Sequence, residues 1–170
     1  MMEIRTEQLQ DRGAVYQLNV AAFGRECEAN LVDRLRSVAS TFSLVAVDVD
    51  RVVGHIMFSP VAIDGEGESQ SLILGLAPVS VLPGEQGRGI GSLLIRQGLA
   101  ACGRMGAKAI VVLGAPEYYR RFGFKSAKEQ GLSCEYDGSD EAFMVLELVE
   151  GALENCAGIV RYRPGFSIVE

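Results

Sequence analysis

The chain has 170 residues, 48% of them apolar, with 16 Lys and Arg against 22 Asp and Glu and a formal charge of −6. That length predicts one domain over residues 1–170, large enough to bury a core. The acidic balance argues against nucleic-acid binding, which needs a basic face, and no uncharged apolar run approaches the roughly 20 residues that cross a bilayer.

The N-terminal MMEIRTEQLQDR has no apolar signal-peptide core, so a cytoplasmic location without membrane attachment is expected. Glu3-Ile4-Arg5 starts a first strand. Asp11 reads as the N-cap of a helix with Ala14, Leu18 and Ala21 on its buried face, ended by Gly24. A second helix is predicted from Glu26 to Val38, burying Leu31, Leu35 and Val38 and leaving Asp33, Arg34 and Arg36 outside. Leu44 to Val47 and Val52 to Phe58 read as an antiparallel hairpin across the polar connection Asp48 to Arg51. Asp64 to Ser71 reads as a loop, and Leu72 to Leu82 as a long strand in which Pro78 marks a bulge or the end of pairing. Backbone groups freed there are available to an extended, amide-bearing ligand acting as a pseudo-strand.

The helix that follows carries Ile95, Leu99 and Cys102 on one face and ends at Gly106. Ala109 to Leu113 is a continuous apolar run, as for a strand buried on both faces, and completes a parallel βαβ unit. A short helix, Glu117 to Arg121, stops at Gly123; Phe143 to Leu148 is a strand; a helix near Ala152 to Cys156 precedes a last strand around Ile159 to Tyr162. The late strands leave room for pairing across a homodimer. Cys27, Cys102, Cys134 and Cys156 lack C-x-x-C spacing and have one histidine to join them, so reduced thiols and no metal site are expected.

The chemistry concentrates in GLAPVSVLPGEQGRGIG, Gly75 to Gly91, and the helix it opens. A strand, a glycine-rich turn and a helix start make an anion cradle. First-turn N–H groups lack carbonyl partners, the helix dipole adds positive charge, and glycines let backbone approach the ligand. A P-loop needs Lys-Ser/Thr after its second glycine, whereas Ile90-Gly91-Ser92 follows Gly89; Gly87, Gly89 and Ser92 leave the third glycine of a dinucleotide fingerprint unfilled.

The loop instead matches Q/R-x-x-G-x-G/A through Gln86, Gly89 and Gly91, preceded by V-x-P at Val81 to Pro83. This resembles motif A of the GNAT superfamily of N-acetyltransferases. Tyr119, Gly123 and Phe124 fill a second pattern, Y-x-x-x-G-F, and with VVGHIMFSPV upstream the whole chain resembles the YhbS-like branch of that superfamily. The resemblance implies an α/β fold with a mixed, mostly antiparallel sheet, a splayed parallel strand pair and flanking helices. It implies acetyl-CoA as cosubstrate, with the backbones of Val79 and Val81 along the pantetheine arm and Gln86, Gly87, Arg88, Gly89, Ile90, Gly91 and Ser92 around the pyrophosphate. It also implies Tyr119 as general acid for the departing thiolate, with Tyr118 as substitute. A phenol, protonated at neutral pH, suits that role; the structural alternative for Tyr119 is a packed ring bonded to a backbone carbonyl.

Two departures from the family pattern stand out. Leu76 to Ser80 offers no catalytic carboxylate, and Gly114-Ala115-Pro116 offers no asparagine. The general base is left among His55, Glu26, Glu28 and water. His55 shares a strand face with Val53 and Met57, as a core histidine does, and Glu26 and Glu28 suit a helix's first turn. Arg120 and Arg121 are either phosphate contacts or a solvated helix face. The function expected is acetyl transfer to a primary amine, on a small molecule or a peptide, by direct attack. The rivals are a non-catalytic acyl-CoA-binding or regulatory module and a nucleotide-binding domain.

Overall fold

This computed structural model describes residues 2–64, 72–135, 141–154 and 157–162. Strands β1 (Met2–Thr6), β2 (Phe42–Asp48), β3 (Arg51–Pro60), β4 (Ala62–Asp64), β5 (Ile73–Val81), β6 (Ala109–Leu113), β7 (Lys125–Ser126), β8 (Leu132–Cys134), β9 (Phe143–Glu147) and β10 (Gly158–Arg161) alternate with four helices. These are α1 (Arg12–Phe23), α2 (Cys27–Leu35), α3 (Ile90–Arg104) and α4 (Pro116–Arg120). The larger sheet has the order β1-β2-β3-β5-β6-β9-β7 and the smaller one β4-β10-β8. The chain groups into two compact units, Met1–Ser59 with Ala77–Ala101, and Pro60–Leu76 with Cys102–Pro164. Among the described residues no helix is long and apolar enough to cross a membrane.

In the first unit β1, β2 and β3 form an antiparallel meander. Its hairpin loop is Val49-Asp50, both left-handed (φ 50° and 63°), the backbone sense that follows a strand pair's right-handed twist. Helix α1 buries Val15, Leu18 and Asn19, so the apolar face is turned one residue from the expected one: Ala14 and Ala21 are exposed. Gly24 ends the helix in the left-handed region at φ 71°, as expected.

Asp11 does not cap α1 with its side chain. Its carboxylate takes two hydrogen bonds from Arg5 (2.6 and 3.0 Å) and one from the Gln8 N–H (2.7 Å), tying β1 to the turn before the helix. Helix α2 stops at Leu35, short of Val38. Arg36 is not outside: its side chain is 11% exposed and forks onto Glu7 at 3.2 and 2.7 Å. A guanidinium seated that deeply needs a bidentate carboxylate to offset lost hydration.

Helix α3 lies close on β3 because two glycines let it. A Cβ at Gly54 would stand 2.9 Å from Leu94 Cδ1, and one at Gly98 would stand 2.5 Å from the Phe58 ring. Leu94, Ile95 and Cys102 are buried and Leu99 is half-buried, so the apolar stripe is wider than the Ile95-Leu99-Cys102 line.

In the second unit β6 pairs parallel with the start of β5 and antiparallel with β9. Gly106 ends α3 at φ 88°, as predicted. Strand β10 is antiparallel to β4 and parallel to β8, so both its edges are taken within the chain. Residues 149–154 form turns in place of the predicted helix; Cys156 and the loop 65–71 lie outside the described residues. Cys27 and Cys102 are free thiols, and burial pushes Cys102 up to about 12.

Gly98→Ala is expected to destabilise the protein by about 2 kcal/mol through overpacking against Phe58, despite alanine's helix preference of about 1 kcal/mol. Gly103→Ala, where no atom lies within 4 Å of the added Cβ, is expected to be neutral or stabilising. Urea unfolding of the two variants checks the opposite signs.

Candidate functional site

The C-terminal part of β5 delivers the chain into the glycine-rich loop. Leu82 N–H donates to Val53 O at 2.9 Å, anchoring the strand end on β3, and a 3-10 turn over Pro83–Glu85 follows. Gln86 returns its side-chain amide to Val81 O at 3.1 Å and so braces the loop against the strand it leaves. Gly87 and Gly89 sit at φ 83° and 80°, where a side chain is strained, and no atom lies within 4 Å of a Cβ built on either. The loop is therefore open above both glycines.

Ile90, 4% exposed, anchors the helix start by packing over Gly54, and Gly89 O accepts the helical bond from Leu93 N–H at 3.0 Å. Helix geometry leaves the N–H groups of Ile90 and Gly91, in the first turn of α3, without intrahelical acceptors. Arg88 is paired with Glu85 and, at 3.5 Å, with Asp48; Arg51 is bonded to the other oxygen of Glu85. The hydrogen bond it donates to Glu85 holds the Arg88 pKa above its ordinary value.

A buried polar chain stands behind the strand. Ser80, lying between Val79 and Val81, donates its hydroxyl to Asn19 Oδ1 at 2.9 Å. Asn19 Nδ2 donates to Val15 O at 3.0 Å and lies 3.4 Å from His55 Nδ1. His55 is fully buried, with Nε2 lacking a partner. Burial drives its pKa down to about 4; the Glu7 charge opposes that shift and Arg36 adds to it.

Tyr119 lies in the second unit, 7% exposed. Its ring meets Tyr118 edge-on at 5.1 Å and Phe124 at 5.6 Å. It also covers Gly114 so closely that a Cβ there would stand 2.3 Å from the ring. Burial, and then the neighbouring Tyr118, push its pKa up to about 12. The carbonyl partner that a purely structural tyrosine would take is absent among the described residues.

A strand passing into an open glycine loop and a helix start is the frame in which the comparisons with known proteins acquire meaning. Residues 3–127 match the family model described as Acetyltransferase (GNAT) domain. The chain belongs to the GNAT acetyltransferases. It is 36% identical over 168 residues to the uncharacterized N-acetyltransferase YhbS of Escherichia coli strain K12, covering 98% of this chain and 99% of that one. The crystal structure of YhbS from Escherichia coli in complex with CoA is similar at a TM-score of 0.90 and 34% identity, over 98% of this chain and 92% of that one. A GNAT family acetyltransferase from Brucella melitensis, in complex with acetyl-CoA, is similar at a TM-score of 0.80 and 39% identity, over 98% of each chain.

Within that family frame, the expected loop residues Gln86, Gly87, Arg88, Gly89, Ile90, Gly91 and Ser92 are contiguous, with Val79 and Val81 half-buried on the strand before them. Of the candidate bases, His55 is sealed and uncharged, and Glu28 is buried and forked onto Arg25 at 3.0 and 2.6 Å. Glu26 is exposed. Arg121 stacks over the Tyr118 ring at 4.4 Å, and Arg120 lies exposed on the α4 surface. Among the described residues no group of three or more His, Cys, Asp or Glu side chains is arranged to hold a metal.

Sequence reasoning missed Asn19 and Ser80. The signal was faint: a polar residue one turn after Val15 on an apolar helix, and a serine at the alternate positions of an apolar strand.

His55 gives the fold an acid-sensitive part. The unfolded chain takes up its imidazole proton near pH 6.5 and the folded chain only near about 4, so its stabilising contribution is complete above 6.5 and lost as pH falls between those values. The loss attributable to His55 is about 3 kcal/mol. His55→Asn is expected to show a shallower decline in unfolding free energy from pH 6.5 to 4.5 than the parent, and parallel declines would refute the assignment. Glu7, held below its ordinary range by bonds from Arg36 and Ser43 that outweigh its burial, titrates in both proteins, so the difference between them reads His55 together with its coupling to Glu7.

Proposed function

We propose that this protein transfers the acetyl group of acetyl-CoA to a primary amine, on a small molecule or a peptide, by direct attack. The observation that carries the reading is the open loop at Gly87 and Gly89 running into the first turn of α3. It offers a diphosphate several backbone donors at once and a helix dipole of the right sign. Arg88 supplies local positive charge in a chain whose net charge is −6. The backbones of Val79 and Val81 meet the amides of the pantetheine arm, which lies along β5 as an added strand.

The amine nitrogen attacks the thioester carbonyl carbon, the C–S bond breaks with its electron pair going to sulfur, and the ammonium nitrogen loses a proton. Strand amides polarise the carbonyl as charge develops on its oxygen. Tyr119 donates its hydroxyl hydrogen toward the departing thiolate. With the phenol at about 12 and an ordinary thiol near 8.5, full transfer is uphill, so its contribution is a hydrogen bond that strengthens as the sulfur becomes negative. Deprotonation of the amine falls to Glu26 or water, because His55 is sealed and Glu28 is committed to Arg25.

Tyr119→Phe is expected to lower kcat by about a hundredfold while acetyl-CoA affinity stays within a few-fold. Steady-state thiol release over an amine panel, beside calorimetric titration of acetyl-CoA, checks the split; unchanged turnover removes Tyr119 from the mechanism. Gly89→Glu places a carboxylate in the cradle at φ 80° and is expected to abolish CoA binding. Normal CoA affinity in that variant would displace the cofactor from this loop.

A further inference from the structure

Within the first unit, the end of β5 is held from behind by one side chain of α1. Ser80, 5% exposed, donates its hydroxyl to Asn19 Oδ1 at 2.9 Å, across 61 residues of sequence. Asn19 is fully buried, and its Nδ2 donates to Val15 O at 3.0 Å and lies 3.4 Å from His55 Nδ1. The amide has one orientation open to it: turned over, its oxygen would face Val15 O, lone pair against lone pair. Oδ1 is thereby aimed at Ser80 before any ligand arrives.

The helix that carries Asn19 is itself fixed. Val15 and Leu18, 0% and 1% exposed, fill its buried face, and Arg5 forks onto Asp11 at 2.6 and 3.0 Å in the turn that opens it.

Alternation along the strand gives the Ser80 bond a consequence at the strand edge. Leu82 N–H donates to Val53 O at 2.9 Å, so Ser80, two residues earlier, also turns its backbone groups toward β3. Val79 and Val81 turn theirs to the opposite edge, where Val81 O accepts from the Gln86 side chain at 3.1 Å. Ser80 sends its side chain to α1, and its two neighbours send theirs to the other face. The residue tied to Asn19 therefore sits between the two whose backbones meet the pantetheine arm in the proposed binding mode. A strand edge pairs with an extended, amide-bearing arm only at the tilt where the N–H and C=O groups of both coincide, and an edge already held there loses little freedom on binding.

Resting on that binding mode, we infer that Asn19 is a positioning residue: through Ser80 it holds β5 at the tilt at which Val79 and Val81 pair with pantetheine. It touches neither cofactor nor acceptor in this reading. The diphosphate subsite does not depend on it, because the loop is fastened separately, by Leu82 on Val53 and by Ile90 packed over Gly54.

The test is calorimetric titration of the full chain with CoA and with phosphoadenosine diphosphate, which is CoA without its arm, for the parent, Ser80→Ala, Asn19→Leu and the double variant. Each single variant is expected to weaken CoA about tenfold while phosphoadenosine diphosphate stays within about twofold. The double variant is expected to lose no more than the more affected single, since both remove one bond. Ser80→Ala deletes a single oxygen, so the comparison survives if Asn19→Leu does not fold. A merely structural role moves both affinities together or neither; that result, or losses that add in the double variant, overturns the inference and leaves the acetyl-CoA reading standing. A parent that binds CoA no more tightly than the armless fragment sinks the proposed binding mode with it.

Discussion

The chain's functional geometry depends on what β5 does with its backbone groups. For three pairs it belongs to a parallel ladder with β6, and beyond Gly75 it is held by other means. Pro78 has no N–H to give, Ser80 is drawn onto Asn19 through its side chain, and the Leu82 N–H goes to Val53 O at 2.9 Å. A strand fixed from behind by a buried side-chain bond keeps its shape without using main-chain groups on its free edge. That is the condition for backbone at Val79 and Val81 to be offered to a ligand at no reorganisation cost.

The loop proposed for the cofactor works within an unfavourable overall charge. With −6 on the chain, a polyanionic cosubstrate gains no long-range attraction, so affinity has to be generated at contact distance. Backbone donors are suited to that, since they carry no net charge and lose little on ordering. The arginines nearby are already engaged: Arg88 with Glu85 and Asp48, and Arg51 with Glu85. In the proposed binding mode an arriving phosphate therefore exchanges partners with Arg88 and does not simply neutralise it. The arginines are substantially exposed, Arg51 at 61% and Arg88 at 49%, whereas Glu85 and Asp48 are 18% and 22% exposed, so salt weakens these pairs only in part.

What the sequence made legible follows from the range of the forces involved. The β2–β3 hairpin, the βαβ unit, the Gly24 and Gly106 helix ends and the glycine loop rest on interactions between near neighbours, and each stands where periodicity and turn chemistry put it. The misplacements involve partners far apart in sequence. Asn19 is buried on α1 because Ser80, 61 residues on, donates its hydroxyl to the Asn19 side-chain oxygen, and that turns the helix face away from Ala14 and Ala21. Arg36 is drawn inside by Glu7, 29 residues earlier. Of the three-stranded sheet only the last strand, expected around Ile159 to Tyr162, was legible; β4 and β8 hold three residues each, too few to show a period. The glycine motif and Tyr119 stood out as residue types, whereas the seating of the Tyr162 ring on Gly75, within the second unit, depends on β10 reaching back to β4.

Burial has opposite consequences for the two titratable groups that the sequence singled out. It drives His55 to about 4 and Tyr119 to about 12, and both are neutral near pH 7. For a base, that neutrality is useful only if a proton can reach the ring, and His55 is sealed with its one contacted nitrogen against Asn19. For a hydrogen-bond donor it is an advantage, because a phenol held far from ionisation cannot leave a standing negative charge beside a thioester. The same desolvation that disqualifies the histidine therefore suits the tyrosine to its proposed role, and the difference lies in what each would have to do: accept a proton from a mobile amine, or hold one toward a sulfur that becomes negative only during the reaction.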